Sequence, residues 1–242
     1  MTATSGHAFL EVCVDCIEGA LAAQKGGADR IELCSALSEG GLTPSAGLVR
    51  FTAENISVPS FAMIRPRAGD FQYSQSELSV MLRDIEFVRD AGLAGVVIGA
   101  QNDAGALALE QLREMKAISQ NLGTTLHRVV DVIDDQLLAV DQAIDLGIDR
   151  ILTSGGATVA IDGANRIAEM NARANGRIAI MPGSGVHTKN VGQLAKITGA
   201  REFHASCRKE IRGSGNGEFE QRHQTSADRV VELKRSLDEL KF

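Results

Sequence analysis

Short β-branched or apolar runs recur along this chain at intervals of roughly 20 to 35 residues, each followed by a turn and an amphipathic helical pattern. Eight runs are recognisable, at 8–14, 30–34, 59–65, 95–99, 124–128, 150–154, 177–182 and 201–206. Five are entered through punctuation such as GGADR at 26–30 or DLGIDR at 145–150, where glycine ends a helix and the next strand begins. Between them lie helical spacings, for example Leu78, Met81, Leu82, Ile85 and Val88, or Leu137, Leu138, Ile144 and Leu146. Strict strand and helix alternation predicts a parallel sheet, and eight repeats predict closure into a (β/α)8 TIM-type barrel rather than a doubly wound open sheet. The first strand-to-helix turn, CVDCIEG, lacks the Gly-rich fingerprint of the open-sheet nucleotide folds.

A length of 242 residues suits one such barrel, so residues 1–242 are expected to form a single α/β domain. The formal net charge of −6, with both signs interspersed, offers no basic face for a phosphodiester backbone, so no nucleic-acid partner is expected. The first ten residues lack a signal-peptide pattern and no run approaches the roughly 18 apolar residues of a membrane span, so a soluble, cytoplasmic protein is expected. The four cysteines, Cys13, Cys16, Cys34 and Cys207, should then stay reduced. Cys13 and Cys16 form a C-x-x-C, but the usual redox host of that motif is a thioredoxin-like fold, not a barrel.

Strand alternation predicts which side chains enter the barrel. In the first strand Leu10, Val12 and Val14 take the helix side, leaving Glu11 and Cys13 inside. The same parity turns Arg30, Glu32 and Cys34 inward from the second strand, and Glu202, His204 and Ser206 from the eighth. Buried carboxylates cost several kcal/mol unless paired. Arg65 and Arg128, at strand ends, are the expected counter-charges.

Three clusters fall on loops after strand ends, where barrel active sites form. IRPRAGDFQYS at 64–74 supplies Arg65, Arg67 and Asp70 as an anion clamp. LHRVVD at 126–131 supplies His127, Arg128 and Asp131 as acid, anion holder and orienter. The Gly-rich turns TSGG at 153–156 and PGSGV at 182–186 offer Ser154, Gly155, Gly183, Ser184 and Gly185 to an anion before a helix. Residues 207–226 read as a polar lid loop over the mouth. These clusters suit an enzyme acting on a small anionic or phosphorylated ligand, with Glu11, Glu32, His127, Asp131 and His204 as acid and base groups. Every lysine falls in a helix or loop, which disfavours Schiff-base chemistry.

EVCVDCIEGALAAQKGGADRIELCSALSEGGLTPS, MIRPRAGDFQYS, LHRVVD, RILTSGG and EFHAS together closely resemble the CutC copper homeostasis family in order and spacing, over about residues 9–206. The resemblance implies a TIM-type barrel that self-associates, a copper ion as partner, and no organic cofactor. Carried onto this chain it nominates Cys13 and Cys34 as thiol ligands of Cu(I), a soft ion that prefers thiolate. LHRVVD departs from the family's usual FHRAFD, Ala68 replaces a glycine, and Gln75 replaces an acidic residue.

Overall fold

The first strand, β1 (Phe9–Val14), pairs in parallel on both sides, with β2 (Arg30–Leu33) and with β8 (Glu202–Ala205). From β2 the ladder runs through β3 (Ser60–Met63), β4 (Gly95–Ile98), β5 (Gly123–Leu126), β6 (Arg150–Thr153) and β7 (Ala179–Pro182). β7 then packs beside β8 at the single seam without a ladder, so the sheet forms a nearly closed eight-stranded parallel barrel. Helices alternate with the strands as the periodicity predicts. The computed structural model describes residues 7–212 and 221–240.

Local chemistry starts and stops these helices. Before α3 (Gln75–Ala91), the Ser74 side chain accepts from the Glu77 amide while the Glu77 carboxylate accepts from the Ser74 amide, a reciprocal capping box. Gly92 ends that helix at φ 88°, a left-handed conformation that favours a residue without Cβ. Leu78, Met81, Ile85 and Val88 form its buried stripe. In α5 (Gln136–Asp145) the expected face is displaced: Leu138 is exposed, and the stripe that meets the barrel is Gln136, Ala139, Val140 and Ala143. The last helix, α8 (Ala227–Asp238), is tied back to the barrel floor, because Lys234 Nζ donates to Asp29 Oδ2 at 2.7 Å and to the Ala8 carbonyl at 3.2 Å.

The barrel divides two cores. Leu10, Val12, Val14, Ile31, Leu33 and Phe203 pack outward into the layer shared with the helices, while Cys34, Phe61, Met63 and Val97 cluster inside. The Phe61 ring spans the barrel interior and needs bare backbone beneath it. A Cβ on Gly95 would overlap that ring and the Gly123 carbonyl. Gly95→Ala is therefore expected to destabilise the fold by about 1–3 kcal/mol through overpacking. A lower urea midpoint at unchanged slope is the signature to measure.

The segment read as a lid loop is different in kind. β9 (Arg208–Arg212) and β10 (Gln221–Thr225) are antiparallel strands, with Arg208 opposite Thr225. Both are polar, RKEIR and QRHQT, so neither shows the apolar alternation that marks a half-buried strand. The part of the expected lid between them, 213–220, lies outside the described residues. Lys209 sits on β9, so among the described residues no barrel strand carries a lysine.

Candidate functional site

Register brings the inward residues together. Glu11 stands level with Arg30 on one neighbour and His204 on the other, and Cys13 stands level with Glu32. The counter-charges of the buried acids are Arg30 and Arg150, not Arg65 and Arg128. Arg30 donates through Nε to Glu11 and through Nη2 to Glu202 at 2.6 Å, and lies over the rings of Phe9 and Phe61, 4.6 and 5.3 Å from their centroids. Arg150 Nε approaches Glu202 at 3.4 Å, with its guanidinium 4.9 Å from the Phe61 centroid. As the first residues of β2 and β6, these arginines reach the axis deep in the barrel, whereas Arg65 and Arg128 follow the far strand ends and meet loops. Parity applied to RILTS would have found Arg150, which shares its face with the cavity-lining Leu152.

Above this ionic layer His204 Nε2 meets Glu32 Oε2 at 2.9 Å and approaches Glu11 Oε1 at 3.9 Å. Burial opposes charge on His204, but Cys13 and Glu32 outweigh it and hold its pKa well above the usual imidazole value. Burial likewise opposes charge on Glu11, yet Arg30, then His204, keep that carboxyl below its usual range. The interior thus sets three carboxyl groups against two guanidiniums and one imidazolium. One ligand atom each from Cys13, Glu32 and His204 lies within 4.8 Å of the others, and all three residues are buried. Cys34 is outside that group. Burial, then the neighbouring Glu32 carboxylate, pushes its thiol well above the usual range.

A cavity of about 500 Å³ opens over this floor at the carboxyl ends of the strands. Cys13, Glu32 and His204 line its base; Arg65, His127, Arg128, Asp131, Ser184 and Gly185 line its walls. Met63, Phe71 and Arg208 also border it, residues that the motifs alone did not single out. Glu11 and Cys34 are fully buried and, with Arg67, Asp70, Ser154, Gly155 and Gly183, do not line it.

Most of the expected anion holders are already engaged. Arg65 donates through Nη1 to the Glu39 and Gly41 carbonyls and through Nη2 to the Gly69 carbonyl, so it ties two loops together at the cavity wall. Arg67 is held by Glu77 at 2.6 Å and Asp70 at 3.0 Å. Asp131 accepts from the Ser154 and Gly156 amides, Thr153 Oγ1 and Arg128 Nε, while the Gly155 amide donates to Thr153 Oγ1. The TSGG turn is therefore spent on Asp131 and Thr153, and Asp131 orients Arg128 and this turn rather than His127. The PGSGV turn differs. Ser184 Oγ donates to the Thr158 carbonyl, Ser184 takes a left-handed φ of 76°, and the Ser184 and Gly185 amides donate to no protein acceptor among the described residues. Gly183 serves packing, since a Cβ there would collide with Leu152 and press on the His204 ring.

The model of the CutC family matches residues 8–209. A CutC family protein of Caulobacter vibrioides is 50% identical over 198 residues, covering 82% of this chain and 80% of that protein. A human protein described as a copper homeostasis protein cutC homolog is 43% identical over 207 residues, covering 86% and 76% of the two chains. Among solved structures, CutC from Streptococcus agalactiae superposes with a TM-score of 0.78 at 30% identity, over 82% of this chain and 98% of that one. Phosphoribosylanthranilate isomerase from Pyrococcus furiosus, at 13% identity and TM-score 0.58 over 97% and 100% of the two chains, shares the barrel architecture.

Proposed function

Because the chain belongs to the CutC family, we propose that it is a copper-handling protein that holds Cu(I) at the floor of the barrel mouth, on Cys13 and His204 with Glu32 beside them. The observation that carries this reading is the convergence of a thiol, an imidazole and a carboxylate within 4.8 Å in a buried setting. The donor set fits the ion: a soft thiolate with imidazole suits Cu(I), and one Glu32 oxygen has no hydrogen-bond partner. When bound, copper supplies a soft Lewis acid. The chain's own residues supply a buried pocket and a histidine that must release a proton before it can ligate. Cys13 is the indispensable thiol on this reading, and Cys34 is secondary. The setting is cytosolic and reducing, which keeps thiols available, and the chain self-associates as its family resemblance implies.

Anaerobic Cu(I) titration against a competing chelator tests the reading. Cys13→Ser is expected to weaken binding at least about tenfold, and Cys34→Ser by less, in line with the loss of a direct ligand against that of a neighbour. If Cys13→Ser holds Cu(I) as tightly as the parent, the reading is wrong.

The volume of the mouth favours a second reading. A cavity of about 500 Å³ is far larger than an ion needs and falls in the range of small-molecule sites, roughly 300–1,000 Å³. On this reading the chain is an enzyme, a lyase, isomerase or hydrolase, acting on a small anionic molecule. Glu32 and His204 move protons at the floor, with Glu11 beneath them. His127 and Asp131 form one wall. Arg128 and the free amides of Ser184 and Gly185 meet the anion, while Arg65, Arg67, Asp70, Ser154, Gly155 and Gly183 hold the loops in shape.

A further inference from the structure

His127 leaves β5 with its imidazole against bare backbone at Gly99, where a Cβ would overlap the ring. Phe71 covers it at 4.8 Å between centroids, and the same Phe71 ring carries the Arg65 guanidinium at 5.1 Å. His127 Nδ1 accepts the Val129 backbone N–H at 3.1 Å. An amide can only donate, so Nδ1 is bare and the neutral ring keeps its proton on Nε2. That Nε2 has no hydrogen-bond partner, although His127 is 3% exposed. A buried donor without an acceptor is uncommon and costly, and this ring lines the wall of the mouth cavity. Burial, then Arg65, lowers its pKa to about 3, with Asp131 the opposing charge, so the ring is not a general acid near neutral pH. The adjacent guanidinium favours an acceptor that carries, or develops, negative charge.

We propose that His127 Nε2–H is an uncharged, preset hydrogen-bond donor that receives a carbonyl-type oxygen of a small organic ligand in the mouth cavity. The inference rests on the small-molecule reading above and narrows it to ligands bearing a carboxylate, ketone or aldehyde. Such a donor stabilises charge on the bound oxygen without giving up its proton, which suits chemistry at the neighbouring carbon.

Pyruvate, which carries both a carboxylate and a ketone, is the probe, with acetate and acetone to separate the two sources. In protein labelled with nitrogen-15 at histidine, the His127 side chain should show a protonated Nε2 and a bare Nδ1, and pyruvate should shift the Nε2–H signal. His127→Phe keeps an aromatic ring against Phe71 and should weaken pyruvate binding by about tenfold to a hundredfold, the range for losing one buried donor. Its Cu(I) affinity should match the parent's. A proton found on Nδ1, or His127→Phe binding pyruvate like the parent, overturns the proposal. Pyruvate that moves the His204 signals but leaves His127 untouched ends this inference and leaves the small-molecule reading standing. Failure of pyruvate, acetate and acetone alike to bind ends both. The spectrum of the unmutated protein decides the matter even if His127→Phe folds poorly.

Discussion

Arg30→Met is expected to destabilise the barrel by about 3–5 kcal/mol, the range found when one partner of a buried ion pair is removed. Arg30 is 1% exposed and holds two carboxylates at once, Glu11 and Glu202. Without it Glu202 is left with Arg150 at 3.4 Å, and Glu11 with the distant edge of His204 and the longer-range charge of Arg150. The methionine fills the space but leaves charge stranded in a dry interior. Adding Glu11→Gln to Arg30→Met should therefore recover part of the loss, because the stranded charge goes with it. Acid should narrow the gap as well. In the parent the Glu11 pKa is depressed, so its contribution is present above the unfolded value and is lost as pH falls through the folded one. Arg30→Met removes the strongest of the charges that oppose burial, so the Glu11 pKa is expected to rise in the variant, and protonation then relieves the variant while it weakens the parent. Urea unfolding of the three proteins at neutral and mildly acidic pH measures both effects. An Arg30→Met variant within about 1 kcal/mol of the parent would contradict the account of the interior as mutually dependent charges.

His127 should make the fold acid-sensitive, with the sign set by its depressed pKa. From its ordinary value of 6.5 in the unfolded chain, burial and then Arg65 lower the imidazole pKa to about 3 in the fold. Above the first value both states are neutral and the group contributes no pH dependence. Between the two values the unfolded chain takes up a proton that the native ring refuses, so stability falls as the solution becomes more acidic. At 1.36 kcal/mol per unit, the loss from this group reaches roughly 3 kcal/mol by about pH 4.5. His204 runs the other way. Its raised pKa contributes stability below the unfolded value, and that contribution fades as pH rises through the folded one. Comparing the pH slope of stability in His127→Phe with the parent's isolates the first effect. The variant should lose roughly 3 kcal/mol less between neutral pH and about pH 4.5. Equal slopes would show that the ring is not held neutral.

The barrel is legible in the sequence because its two signals are local. Each strand run with its following helix is readable over about 30 residues, and the period of two in FLEVCV or EFHA decides which face each side chain takes whatever lies across the sheet. For that reason Glu11, Cys13, Glu32, Glu202 and His204 could be assigned to the interior from sequence alone. The polar arms RKEIR and QRHQT carry no such period, and they read as loop. The partner of each inward residue was also beyond local pattern. Arg30 reaches Glu202 across 172 positions, and which guanidinium meets which carboxylate depends on strand register around the closed sheet. The two Gly-rich turns look alike as sequence, yet Asp131 takes the Ser154 and Gly156 amides of one, while the Ser184 and Gly185 amides of the other meet no acceptor among the described residues. Facing direction is set by neighbours along the chain. Partnership, burial and the unmet donor of His127 are set by neighbours through space, and only the assembled barrel determines those.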